Sequence, residues 1–131
     1  DTLDIDITYP SLGNIKAQGQ ITMDSPTQFK WDATTKGEND FHGRLTGTLQ
    51  RLPSAEEADE ELKRQGVRGT LAAQLLPGTW AVTMTNEDGQ TSQGQWHFQP
   101  RSPYTMDIVA QGTISDGRPI VGYGKATVKT P

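Results

Sequence analysis

Gln18-Gly19-Gln20 opens a run that passes through Ser25-Pro26 and Phe29-Lys30-Trp31-Asp32-Ala33 to Phe41-His42-Gly43-Arg44-Leu45-Thr46-Gly47-Thr48-Leu49. Gln93-Gly94-Gln95 opens a second run with the same punctuation. It passes through Ser102-Pro103 and Met106-Asp107-Ile108-Val109-Ala110 to Ile120-Val121-Gly122-Tyr123-Gly124-Lys125-Ala126-Thr127-Val128. Matching starts lie upstream of each, Leu3-Asp4-Ile5-Asp6-Ile7-Thr8 and Trp80-Ala81-Val82-Thr83-Met84-Thr85. The repetition divides the 131 residues into halves of about 1–52 and 77–131, joined by a connection over 53–76. It argues for an architecture, a doubled all-β unit within a single domain, and not for a chemistry.

Working outward, the period of the hydrophobic pattern is two. Leu3, Ile5 and Ile7 share one face while Asp4, Asp6 and Thr8 share the other. The same alternation runs through Ile15/Ala17/Gly19/Ile21/Met23, Phe29/Trp31/Ala33 and Phe41/Gly43/Leu45/Gly47/Leu49. In the second half it reads Trp80/Val82/Met84, Trp96/Phe98, Met106/Ile108/Ala110 and Ile120/Gly122/Gly124/Ala126/Val128. One apolar and one polar face per strand marks antiparallel sheet. Turn chemistry separates the strands at Gly37-Glu38-Asn39-Asp40, Asn86-Glu87-Asp88-Gly89 and Asp116-Gly117. Ser25-Pro26 and the segment from Pro100 to Pro103 read as extended loops, because proline donates nothing to a ladder.

The connection breaks the pattern. Ser54 and Glu57 form a capping box, acidic residues fill 56–61, and Lys63-Arg64 precede Gly66. This predicts a helix near residues 55–65, a strap over one end of the sheets, followed by a strand over Val67–Leu75. Eight or nine antiparallel strands in two related four-strand meanders then close into a barrel or stack as a sandwich. Glycines at inward positions favour closure, since strongly bent strands need them.

Composition excludes several functions. A net charge of −4 disfavours nucleic acid, whose phosphates call for a basic face. With no cysteine there is no disulfide, thiolate metal site, Cys nucleophile or covalent haem. No apolar run reaches the roughly 18 residues of a membrane-spanning helix. No leader is recognisable, and the chain reads as a mature form or an excised domain.

No reactive constellation emerges either. His42 and His97 both fall on outward positions, without a nucleophile elbow or metal-ligand spacing. Asp4, Asp6, Asp32 and Asp107 are outward too, where a wet face accounts for them. Gly122-Tyr123-Gly124 lies within a strand and opens no helix, so it is no dinucleotide fingerprint. Trp31, Trp80 and Trp96 face inward, as core or as the lining of a ligand cavity. The small residues Gly43, Gly47, Gly122, Gly124 and Ala126 face the same interior. Tyr123 faces outward as a candidate contact residue. No catalytic residue, metal or cofactor is expected.

Leu76-Pro77-Gly78, Trp80-Ala81, Pro100, Gly112, Asp116-Gly117, Pro119 and Gly122-x-Gly124-x-Ala126 resemble a β-barrel accessory domain of the quinohemoprotein amine dehydrogenase α subunit. The resemblance covers about residues 76–128. It implies a barrel fold and a periplasmic setting. The Cys-x-x-Cys-His haem sites of that subunit are missing, so no electron-transfer role carries over. The resulting expectation is a non-catalytic domain, periplasmic or extracellular in a bacterium, acting as an accessory or protein-interaction module. Its partner would be another protein or a domain of a parent chain. A lipocalin-like carrier of a small apolar ligand is the alternative, and a carbohydrate-binding module a further one.

Overall fold

A computed structural model of the chain describes residues 2–37, 42–52, 60, 71–113 and 117–128. Eight strands, β1 (Thr2–Tyr9), β2 (Ile15–Ser25), β3 (Gln28–Lys36), β4 (His42–Arg51), β5 (Gly78–Thr85), β6 (Thr91–Ser102), β7 (Thr105–Thr113) and β8 (Pro119–Val128), follow one another round a closed antiparallel barrel. The barrel shuts where β1 pairs with β8, from Leu3–Val128 to Thr8–Tyr123. Barrel, not sandwich, is the architecture. Closure leaves neither terminal strand as a long free edge.

The alternation read from the sequence becomes inside and outside. Leu3, Ile5, Ile7, Ile21, Phe29, Trp31, Trp80, Trp96, Phe98 and Ile108 are all buried in one core. Polar residues cover the outside in ladders. Gln18 donates to Asp6 at 3.3 Å across β1–β2, and Arg44 Nε donates to Asp32 at 3.0 Å across β3–β4. The Arg44 guanidinium, bonded to the Asp32 carboxylate, holds its pKa below the usual range.

Register corrects how the two halves map onto each other. Ile21 pairs with Trp31, and Phe98 pairs with Ile108. With Phe29 matched to Met106, Ile21 therefore corresponds to Phe98 and not to Trp96. On the same footing Gly43 corresponds to Ile120; Phe41, the expected counterpart, lies outside the described residues. Both second strands carry a bulge near the same end, between Met23 and Ser25 and between Pro100 and Ser102. Pro100 thus belongs to β6 and not to a loop. A bulge is one of the few places where a sheet accepts proline.

The connection also departs from expectation. The predicted cap at Ser54 and nearly all of the helix near 55–65 lie outside the described residues, apart from the helical, exposed Glu60. Leu71–Leu75, expected as the end of a strand, is a short helix, α1. Leu, Ala and Gln are strong helix formers. The burial of both Ala72 and Ala73 fits a helix, whereas a strand would send them to opposite faces. α1 and Leu76 plug the barrel end where β1, β3, β5 and β7 begin. The opposite end carries the short 3₁₀ turn Pro10–Leu12 and the turn Asn86–Gln90.

Glycine permits the curvature. A Cβ on Gly47 would stand 1.8 Å from the Thr83 carbonyl oxygen and 2.7 Å from Trp31 Nε1. Gly19 and Gly124 meet the backbone of Asp32 and Asp6 just as closely. These are the points where strands bend hard enough for neighbouring backbones to converge. We expect Gly47→Ala to destabilise the barrel by on the order of 2–4 kcal/mol, a steric clash in a packed interior. Gly89, at φ +78° with nothing within 4 Å of an added Cβ, is the control. Gly89→Ala should cost only about 1 kcal/mol in the same urea titration.

Candidate functional site

The two ends of the barrel differ, and the difference defines the site. At the plugged end Leu3, Phe29, Leu49, Leu76, Trp80, Phe98, Met106 and Ala126 are completely buried. Trp80 meets Phe29 edge-on at 5.0 Å, and its indole N–H donates to the Leu76 carbonyl at 2.8 Å. Arg51 covers it, the guanidinium 4.0 Å above the ring while donating to the carbonyls of Pro77 and Leu75. Trp80 is therefore core. It lies at the plugged end, bonded to the plug itself, with the Trp31–Trp96 pair between it and the open end.

At mid-height Trp31 and Trp96 lie 4.9 Å apart with their planes tilted by 46°. Tyr9 crosses above Gly122, where an added Cβ would stand 2.7 Å from its ring, and its phenol accepts a hydrogen bond from Trp96. So the glycines do not all face indoles: Gly47 accommodates Trp31, but Gly122 accommodates Tyr9, and Gly124 meets backbone. Burial of Tyr9 pushes its pKa up to about 12, the indole hydrogen bond opposing that only in part.

Above this aromatic floor the interior is lean. Inward residues on β4 to β7 shrink to Gly43, Leu45, Met84, Ser92, Gly94 and Gly112, all half-buried. The wall formed by β8, β1, β2 and β3 is covered instead, with Ile120, Tyr9, Ala17 and Thr35 buried. Thr35 is the only buried polar residue among those described. Pairing of β4 with β5 begins only at Thr46–Thr85, leaving His42–Leu45 without β5 partners. We refer to this less-filled part of the interior, above the buried Trp31, Trp96 and Tyr9, as the slot. Lys16 and Lys36 line a depression at this end together with Thr35, Gly37 and Gly43.

The β4–β5 seam beneath the slot is built unusually. Trp31 Nε1 donates to the Thr83 carbonyl at 3.1 Å, taking an acceptor that faces β4. The Thr48 N–H turns instead to the Thr83 hydroxyl, at 3.0 Å. On the outside, Gln20, Thr22, Lys30, Thr46, Thr48 and Thr85 surround a shallow depression of about 560 Å³ over this seam.

The other residues singled out in the sequence do not assemble. His97 is on the outer face, 2.8 Å from the Thr79 hydroxyl, and the side chain of His42 lies outside the described set. Asp4 and Asp6 are bonded to Gln20 and Gln18, Asp32 to Arg44, and Asp107 to Arg101. No cluster of three or more His, Asp or Glu able to hold a metal occurs among the described residues. Tyr123 is 58% exposed, beside exposed Val121. Sequence reasoning missed Tyr9, whose alternation with Leu3, Ile5 and Ile7 was the available signal. It also missed the inward hydroxyls of Thr35 and Ser92.

No family matches the sequence, and no curated protein does. Solved structures of the same shape exist. A de novo designed fluorescence-activating β-barrel matches with a TM-score of 0.54 at 14% identity, covering 98% of this chain and 91% of that one. The redesigned barrel mFAP1, solved bound to DFHBI, gives 0.55 at 16% identity over 96% and 91%. EF1p2_mFAP2b, also bound to DFHBI, gives 0.57 at 14% over 98% and 91%. At these identities the likeness is one of fold.

Tyr9 makes the floor sensitive to alkali. An unfolded tyrosine loses its proton near pH 10, whereas the native one holds it to about 12. Between these values the native state binds more protons, so stability falls as pH rises. The contribution is complete below about pH 10, and about 2–3 kcal/mol is lost by about pH 12. Urea unfolding at the two ends of that window should show the loss in the wild type. Tyr9→Phe should lack this component.

Proposed function

We propose that the barrel is a non-catalytic binder of a small apolar molecule, held in the slot above Trp31, Trp96 and Tyr9. One observation carries this reading: the inward residues of β4 to β7 stay half-buried at the open end, while the plugged end is fully packed. Small-molecule sites are concave, mostly apolar and furnished with a few polar groups. Leu45 and Met84 supply the apolar walls, and Tyr9, Thr35 and Ser92 the hydroxyls. An eight-stranded barrel has room for side chains and one small ligand. Barrels of this shape that bind DFHBI support the reading by analogy.

The tryptophans, expected to decide between packing and carriage, divide. Trp80 packs, while Trp31 and Trp96 pack and also form the surface on which a ligand would rest. Nile red, an uncharged apolar dye, is the probe. We expect saturable one-to-one binding with a rise in the unfolding midpoint, since a ligand bound only to the native state stabilises it. Met84→Lys puts a charge in the slot at a half-buried position and should weaken binding at least about ten-fold, the cost of desolvating an unpaired charge. A dye response without saturation, or one indifferent to Met84→Lys, would overturn the reading.

A second reading rests on a different surface. Tyr123 and Val121 project from β8 beside Val109 of β7, which pairs with Tyr123. This patch is where an accessory module would meet a partner protein. Crosslinking from native extract should then capture a partner with the wild type and lose it with Tyr123→Ser.

A further inference from the structure

We propose that the outer rim of the barrel across β2, β3 and β4 is a binding site for a phosphate group, gripped by Lys16 and Lys36. It stands whether or not the slot is occupied.

Register creates the pair. Lys16, the second residue of β2, is the cross-strand partner of Lys36, the last residue of β3. Both are exposed on the outer face. Directly opposed side chains have Cβ atoms about 4.5–5.5 Å apart, and like charges so placed repel. Their other cross-strand partners bring no acid, since Lys16 also pairs with Thr8 and Lys36 with His42. Two acids further along this face are taken: Asp6 accepts from Gln18 and Asp32 from Arg44.

Elsewhere on the outer face charges are matched. Lys30 reaches Asp24 at 4.0 Å, Arg101 reaches Asp107 at 2.5 Å, and Lys125 has Asp6 and Asp107 as its two register partners. The chain as a whole is acidic, with a net charge of −4. Two opposed lysines are therefore a local exception and not a sample of a basic surface. An anion set between them turns their repulsion into attraction.

The surroundings suit phosphate. The lysines line a depression of about 690 Å³ together with Asn14, Gln18 and Thr34. Asn14 holds a left-handed backbone at φ 56°, which asparagine adopts readily, and adds a neutral amide donor. A phosphate monoester carries a charge of about −1.5 to −2 near neutral pH, which two ammonium groups balance. Lysine binds it as a point charge on a flexible stem, so no forked geometry is needed. Two sources supply such a group: free phosphate, or the head of a longer molecule whose apolar part rests in the slot.

Inorganic phosphate is the probe, titrated at constant ionic strength and followed by amide chemical shifts. We expect saturation, with shifts concentrated at residues 14–18 and 34–37. Lys16→Gln and Lys36→Gln should each weaken binding roughly two- to five-fold, the range of one exposed ion pair, and together abolish it. Lys30→Gln, outside the depression, should change nothing. Without phosphate, Lys36→Gln should raise the unfolding midpoint at low salt, and added salt should erase the gain by screening the repulsion. Shifts that never saturate, or binding that survives the double variant, would overturn the proposal. So would a midpoint that falls in Lys36→Gln, because that lysine would then already have an acidic partner. Decyl phosphate separates the sources. Affinity equal to that of inorganic phosphate supports the site with a free anion. Tighter binding that displaces Nile red and weakens in Lys16→Gln supports it with the head of the molecule in the slot. Decyl phosphate binding indifferent to both lysines overturns it.

Discussion

Three indole N–H groups have to be satisfied inside a barrel whose interior holds almost nothing polar, and the structure is organised around how that is done. A buried N–H donor without a partner costs about 1–3 kcal/mol, so each tryptophan dictates where an acceptor stands. Trp80 takes the Leu76 carbonyl and thereby ties the plug to β5. Trp31 takes the Thr83 carbonyl and ties β3 to β5, across the intervening β4. Trp96 takes the Tyr9 phenol and ties β6 to β1 across the barrel. These three ties link elements that the strand ladders do not join. They fix one end as closed and place an aromatic floor part-way up the other.

The floor explains why packing and the proposed binding are not rivals. Below it, side chains interdigitate at interior density. Above it, the sequence supplies glycine and short polar residues, so the same strands that make a core become walls without filling. Gly94 and Gly112 let the backbones of β6 and β7 approach closely, and they contribute no side chain to the upper interior.

Much of this could be read from the sequence, and the failures have physical origins. Alternation placed Trp31, Trp80, Trp96 and Tyr123 on the correct sides, because a barrel has one inside and a two-residue period reports it. The barrel was favoured by the inward glycines, and the glycine clashes at Gly19, Gly47 and Gly124 show why. Leu71–Leu75 was misread because five residues cannot distinguish a short helix from a strand by period alone. Register between the halves slipped by two residues, since a shift of two keeps every side chain on its face. The candidate slot was harder still. It depends on which strand ends lack partners and on Tyr9 reaching Trp96 from three strands away, neither of which is a local property of sequence.

The seams between the halves differ from those within them. Among the described residues, β4 pairs with β5 only between Thr46–Thr85 and Arg51–Trp80, and β8 with β1 only between Leu3–Val128 and Thr8–Tyr123. Seams internal to each half run longer. In the first of these short seams a ladder carbonyl is spent on Trp31 and a rotatable hydroxyl stands in for it. Each four-strand meander therefore resembles a protomer, with two matching edges facing another protomer of the same kind. Such edges do not specify that both halves come from one polypeptide. Two molecules opened at these seams could exchange halves and reclose as an intertwined pair, every native contact remade in trans. A covalent link between the halves makes each its sibling's nearest neighbour and so favours reclosure within one molecule.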